Sequence, residues 1–116
     1  MRTTLVIADD PAFVELLAEW LGPAGWRVVN QQGDTRHVNP DLLIVDVPFP
    51  RKRGLETIRA AVAPCPGVVV LAVSAEFLPG MVPRGSVARS LGVQAVLPKP
   101  VTRDELVAAL SQLVND

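Results

Sequence analysis

The sequence predicts an α/β fold in which a doubly wound sheet of five parallel strands carries helices on both faces. Five short apolar runs recur along the 116 residues, and segments with helical spacing of apolar residues lie between several of them. Parallel strands need crossover connections, and right-handed crossovers place their helices against the sheet. The length and composition fit one compact domain, residues 1–116, with a single core.

The predicted strands are mostly rich in Val, Ile and Leu, a composition typical of strands that are buried on both faces. Their positions are 4–8, 26–30, 42–45, 68–73 and 94–97. Only residues 31–40 join the second strand to the third, so a helix in this connection is at most about one turn long. The connection 75–92 is interrupted by Pro and Gly, and its helix is therefore expected to begin late, at 84–86.

Further helices are predicted where apolar residues recur at helical spacing, in segments 13–21, 55–62 and 106–113. For the first of these, Asp10 is a suitable cap, Pro11 a suitable first residue and Gly22 a suitable end. For the last, Thr102 and Glu105 have the spacing of a capping box. Strands and helices therefore alternate along most of the chain.

The composition excludes several classes of function. Eleven Lys and Arg against twelve Asp and Glu leave a net charge of -1, so we expect no direct nucleic-acid or membrane binding. A single cysteine, Cys65, and a single histidine, His37, leave no internal disulfide and no obvious zinc cluster or His-based triad. No apolar run is long enough to span a bilayer, and we expect a reducing, cytoplasmic location.

Polar side chains follow four of the predicted strands. Asp9 and Asp10 come at the end of the first strand, and Asp46 follows the third. Ser74 follows the fourth strand and Lys99 comes after the fifth. Ligands of open parallel sheets bind outside the carboxyl ends of the strands, where the strand order reverses. We therefore expect these five side chains to meet in one cleft.

This set of groups indicates phosphoryl chemistry. Carboxylates held close together repel one another, and a hard divalent cation such as Mg²⁺, which prefers oxygen ligands, relieves that repulsion. The Lys99 ammonium and the Ser74 hydroxyl suit a phosphoryl group, whose transfer depends mainly on positioning and charge stabilisation. One of the carboxylates is then able to attack phosphorus and form an aspartyl phosphate.

Four motifs in order carry a family resemblance: LVIADD, LLIVDVPFPRKRGLE, VLAVSA and AVLPKP. With these motifs the chain resembles the receiver domain of two-component response regulators, over nearly its whole length. The resemblance implies the flavodoxin-like strand order 2-1-3-4-5, here with a shortened second helix. It also implies Mg²⁺ as cofactor. The sequence does not choose between a single-domain regulator and part of a longer one.

The resemblance assigns roles to the acidic residues. Asp46 matches the phosphoacceptor of the family and a metal ligand. Asp10 matches the direct metal ligand, and Asp9 the acid that reaches the metal through water. Pro48 matches the residue whose backbone carbonyl binds the metal, and proline keeps that carbonyl although it lacks an N–H.

The resemblance also assigns the phosphoryl-binding residues. Ser74 matches the hydroxyl residue, Ala75 its small neighbour and Lys99 the lysine that precedes a cis proline. The chain departs from the family at Val96, because receivers usually carry an aromatic switch residue at this position. We expect this departure, the shortened second crossover and the Pro-rich fourth loop to leave the phosphorylation chemistry in place and to alter the signalling surface.

The implied partners are a sensor histidine kinase or phosphotransfer protein, a downstream protein, and a second copy bound through the last two helices. An alternative is an interaction module that works without phosphorylation. A hydrolytic phosphatase is disfavoured, because Pro48 stands where such an enzyme needs a second acid. Simpler roles are possible for two of these features. Asp10 would then only cap a helix. The basic run 51–53 would be a solvated loop and not a segment that contacts a kinase or steers phosphate.

Overall fold

The computed structural model describes residues 2–31, 38–47, 51–77 and 84–114. Five strands form one sheet in the order β2-β1-β3-β4-β5, and every neighbouring pair is parallel. The strands are β1 (Arg2–Ile7), β2 (Trp26–Asn30), β3 (Leu42–Asp46), β4 (Val69–Ser74) and β5 (Ala95–Pro98). The described helices are α1 (Pro11–Leu21), α2 (Arg51–Val62), α3 (Ser86–Leu91) and α4 (Arg103–Val114). The predicted fold class and strand order are confirmed.

The central strand β3 explains why the sheet is covered on both faces. Its first four residues are completely buried, and they alternate between two hydrophobic clusters. Leu42 and Ile44 pack with residues of α1 and α4, whereas Leu43 and Val45 pack with residues of α2 and α3. A strand that is apolar at consecutive positions needs a helical layer on each side, because successive side chains point to opposite faces.

The starts of α1, α3 and α4 agree with the sequence predictions. α1 begins at Pro11 after the Asp10 cap, and α3 begins at Ser86, within the predicted window. At α4, the Glu105 N–H donates to Thr102 Oγ1 at 3.2 Å, and the Thr102 hydroxyl donates to Glu105 Oε1 at 2.8 Å. Thr102 therefore caps this helix as its spacing with Glu105 predicts, but the Glu105 carboxylate accepts from the Thr102 hydroxyl and not from its backbone N–H as in a full capping box.

The end of α1 differs from the prediction in its backbone geometry. Gly22 is the residue after the helix, but its φ of -52° is right-handed, so the left-handed cap typical of glycine is absent there. The left-handed conformation occurs instead at Gly25, with φ of 94°, where the chain turns into β2. Glycine adopts this conformation without the steric cost that a Cβ imposes.

The strand boundaries shift by one or two residues from the predicted ones. β1 extends back to Arg2 because this residue pairs with Trp26, and β3 and β4 extend to Asp46 and Ser74. Hydrophobic runs do not show these ends, since polar residues continue the ladder. The predicted one-turn helix falls mainly on residues 32–37, which lie outside the described residues. Within the described residues, no helix is both long and apolar enough to cross a membrane.

Two adjacent leucines of α1 test this packing. Leu17 is completely buried, whereas Leu16 is 39% exposed. We expect Leu17→Ala to lower the free energy of unfolding by about 2–5 kcal/mol, because it removes buried methyl groups and leaves a cavity. Leu16→Ala is the matched control and should change it by less than about 0.5 kcal/mol. Urea unfolding measures both, and equal losses would contradict the described packing of α1.

Candidate functional site

The site lies where the chain changes direction across the sheet. β1 and β3 are neighbours, but β2 pairs on the outer side of β1 and β4 pairs on the other side of β3. The connections that leave the carboxyl ends of β1 and β3 therefore diverge. This divergence opens a crevice at the edge of the sheet, where ligands of doubly wound folds bind.

A cleft of about 490 Å³ occupies this crevice. Asp9 and Asp10 line it from the end of β1, and Asp46 lines it from the end of β3. Gln31, which follows β2, and Arg53 and Thr57 of α2 also line it, together with the apolar residues at the end of β1. Three of the five side chains that the sequence predicts to meet, those of Asp9, Asp10 and Asp46, thus share this cleft with a cation, Arg53. Ser74 and Lys99 are not among the described residues that line it.

Lys99 joins the ends of β3 and β5. Its Nζ donates to Oδ2 of Asp46 at 2.7 Å, and both side chains are about one quarter exposed, 24% and 26%. The Lys99 backbone N–H donates to the Ser74 carbonyl at 3.0 Å, which fixes the start of the lysine side chain beside β4. A short bond between an ammonium and a carboxylate is charge-assisted and stronger than a neutral one.

Ser74 is the last residue of β4 and only 4% exposed. Its Oγ accepts a hydrogen bond from the Glu76 N–H at 3.1 Å, so its own hydrogen remains able to donate. Ala75, the next residue, is exposed. A small exposed residue beside a buried hydroxyl leaves space in front of the end of β4.

Asp10 caps α1. Its Oδ1 accepts the Ala12 N–H at 3.0 Å, and its carbonyl accepts the Val14 N–H at 3.3 Å. A carboxylate has a second oxygen, so capping uses only part of the acceptor capacity of Asp10. In the described part of the chain, no group of three or more acidic, His or Cys side chains is arranged to hold a metal ion. The acidic residues therefore share the cleft without forming a coordination cluster.

Pro48 lies outside the described residues, so its carbonyl stays a prediction. Val96, at the position of the family's aromatic switch, is completely buried in the cluster that packs against α2 and α3. The peptide bond between Lys99 and Pro100 is cis, as the resemblance implies.

Sequence reasoning missed the contact of Phe13 with the site. The Lys99 Nζ lies over the Phe13 ring, 4.3 Å from its centroid. The helical spacing of apolar residues assigned Phe13 to the core, and it does pack partly against it. Phe13 follows the capping Asp10 by three residues and so stands in the first turn of α1, but this position alone does not distinguish it from an ordinary core residue.

Solved structures share this fold over nearly their whole length. A response regulator from Thermotoga maritima superposes with a TM-score of 0.77 at 20% identity, covering 100% of this chain and 99% of that chain. The chemotaxis protein CheY4 of Vibrio cholerae also gives 0.77 at 20% identity, covering 98% and 99%. The chain has the fold of a response-regulator receiver domain. The recognition based on the four motifs is confirmed at this level.

Sequence comparison adds a curated protein that is similar to this chain. The transcriptional regulatory protein PdtaR of Mycobacterium tuberculosis is 33% identical over 121 residues, which cover 96% of this chain and 56% of that protein. The chain spans about half the length of the curated relatives it matches. No protein-family model matches the sequence.

The capping contact of Asp10 gives a stability prediction. We expect Asp10→Ala to lower the free energy of unfolding by about 1 kcal/mol, because the Ala12 N–H loses its acceptor. Asp10→Asn should change it by a few tenths of a kcal/mol at most, since Asn caps about as well as Asp. Urea unfolding without added metal measures both variants, and a large loss in Asp10→Asn would argue against simple capping.

Proposed function

We propose that this receiver domain accepts a phosphoryl group from a phosphohistidine of a sensor kinase or phosphotransfer protein onto Asp46, with Mg²⁺, and thereby changes its binding to a downstream protein. The observation that carries the proposal is the 2.7 Å contact of Lys99 with Asp46, a residue that also lines the acidic cleft. A lone structural ion pair does not explain why Asp9 and Asp10 line the same cleft. Phosphoryl transfer explains the whole set of charges.

In the proposed step, an oxygen of the Asp46 carboxylate attacks phosphorus and forms the new P–O bond. The P–N bond of the donor breaks, and the ring, which carries a proton on its other nitrogen, leaves as neutral imidazole with the electron pair of that bond. Asp46 is about one quarter exposed, so a donor has access to it. The Lys99 ammonium is placed to compensate charge on the phosphoryl oxygens, and the Ser74 hydroxyl is able to donate to one of them.

The oxygen donors of the cleft fit Mg²⁺. This cation is usually held by one or two carboxylates together with water and phosphate oxygens, so a ready cluster of three carboxylates is not required. Asp10 and Asp46 would hold it directly, with the Pro48 carbonyl, and Asp9 would do so through water. When bound, the ion supplies positive charge that offsets the carboxylates and the incoming phosphoryl group.

The first experiment is intact mass spectrometry after incubation with Mg²⁺ and acetyl phosphate. We expect one phosphoryl adduct on the wild-type protein, because Lys99 bonds to Oδ2 of Asp46 and the other carboxylate oxygen is able to attack phosphorus beside this ammonium. Asp46→Asn and a chelator-treated sample should each lose it. If the adduct hydrolyses before it is detected, binding of beryllofluoride, measured by NMR, tests the same site. No adduct together with no beryllofluoride binding would overturn the proposal.

Asp10→Asn separates metal binding from capping. Because the variant keeps a capping oxygen and loses a charge, we expect unchanged stability with at least about tenfold weaker Mg²⁺ binding. Calorimetric titration with Mg²⁺ measures the affinity, and Asp41→Asn is a control for a general loss of negative charge outside the cleft. Equal affinities of wild type and Asp10→Asn would remove Asp10 from the proposed metal site.

A second candidate function is an interaction module that works without phosphorylation. The observation in its favour is Val96, which is completely buried and carries no aromatic ring that could turn between two positions. In this case the acidic cleft persists, but the surface near α3 and β5 does not respond to it.

Backbone NMR distinguishes the two functions. For a phosphorylation switch, we expect beryllofluoride with Mg²⁺ to shift amide signals at the cleft and also along α3 and β5. The reason is that β5 contains Val96 and ends at Pro98, directly before Lys99. Asp46→Asn is the control without ligand binding. Shifts confined to the cleft, with full occupancy, would favour the phosphorylation-independent module.

A homodimer through α3 and α4 belongs to the same proposal. Analytical ultracentrifugation of the protein with and without beryllofluoride tests it.

A further inference from the structure

We propose that Phe13 is a positioning residue for Lys99, and that its ring holds the lysine ammonium at the sheet edge during phosphorylation of Asp46. The inference rests on the proposed function and deepens it. It assigns a role to a side chain outside the predicted site, which consists of acidic residues together with Ser74 and Lys99.

The geometry places the Lys99 ammonium between two groups from different elements. Its Nζ is 2.7 Å from Oδ2 of Asp46, at the end of β3, and 4.3 Å from the centroid of the Phe13 ring, in the first turn of α1. A cation within about 6 Å of a ring centroid is attracted by the negative face of the ring. The lysine side chain is only 24% exposed, so this attraction is less screened by water than at an open surface.

The ring itself is held in place. Phe13 is partly buried and packs against the cluster formed by the sheet, α1 and α4. The start of its helix is fixed by the Asp10 cap, whose Oδ1 accepts the Ala12 N–H. A side chain whose helix is capped and whose ring is packed is a rigid support for a flexible lysine.

The ring supplies what Asp46 alone does not supply. The carboxylate attraction for Lys99 changes when Asp46 becomes an acyl phosphate, whereas the attraction of the ring is the same before and after the reaction. A ring face also occupies none of the carboxylate or phosphoryl oxygens. Phe13 therefore keeps the ammonium near the reacting atoms in both states and leaves its hydrogens able to bond to oxygen.

The test compares Phe13→Leu with Phe13→Tyr. Leucine keeps an apolar side chain in the core but has no ring face, and tyrosine keeps the face. We expect the maximal rate of phosphorylation by acetyl phosphate to fall about threefold to tenfold in Phe13→Leu, with little change in the donor concentration at half-maximal rate. Phe13→Tyr should retain most of the wild-type rate. Urea unfolding of both variants accounts for any loss of packing.

The chemical shift of the Lys99 side chain, measured by NMR, distinguishes positioning of the lysine from a packing role of Phe13. The Lys99 ε-methylene protons should be shifted upfield by the ring in the wild type and in Phe13→Tyr, and should lose this shift in Phe13→Leu. They should keep it in Asp46→Asn, since the ring holds the ammonium without the carboxylate charge.

The outcomes are distinguishable. A wild-type rate in Phe13→Leu, with the upfield shift lost, would overturn the positioning role and leave the proposed function intact. Equal slowing of the Leu and Tyr variants in proportion to lost stability would also overturn it in favour of packing. A wild-type protein that takes up neither phosphoryl group nor beryllofluoride would overturn the proposed function itself, and the role of Phe13 with it.

Discussion

The parallel pairing of β3 between β1 and β4 is the constraint on which the rest of the structure depends. The four residues from Leu42 to Val45 are completely buried, so a helical layer must cover each face of the sheet. The same pairing brings the carboxyl ends of β1, β3 and β4 to one edge. Burial of apolar strands thus produces the crevice in which the polar residues meet.

Charge balance in the crevice follows from that arrangement. Asp9, Asp10 and Asp46 lie together at this edge, and cations from other elements lie close to them. Lys99 comes from the end of β5 and Arg53 from α2. Because Asp10 also caps α1, folding and the proposed metal chemistry use different oxygens of one carboxylate.

Core and site are less separate than residue types suggest. Phe13 packs against the apolar cluster and also faces the Lys99 ammonium, and Ser74 is a buried strand residue whose hydroxyl lies at the sheet edge. Val96 is the opposite case, a position of signalling interest that is wholly part of the core. The proposed chemistry is therefore built on rigid elements, while the route by which it would reach a partner differs from the usual aromatic switch.

The sequence alone determined the fold class, the alternation of elements and the polar residues at the strand ends, because apolar periodicity and capping residues are local signals. It did not determine where the strands end or how Gly22 closes α1, since pairing register and chain direction involve distant residues. The strand-end rule places Lys99 and Asp46 at the same edge of the sheet, but only the tertiary structure shows their direct contact. It alone also brings Phe13 to Lys99, because these two residues come from separate elements of the chain. An aromatic residue at helical spacing is indistinguishable from an ordinary core residue until the lysine lies over its ring.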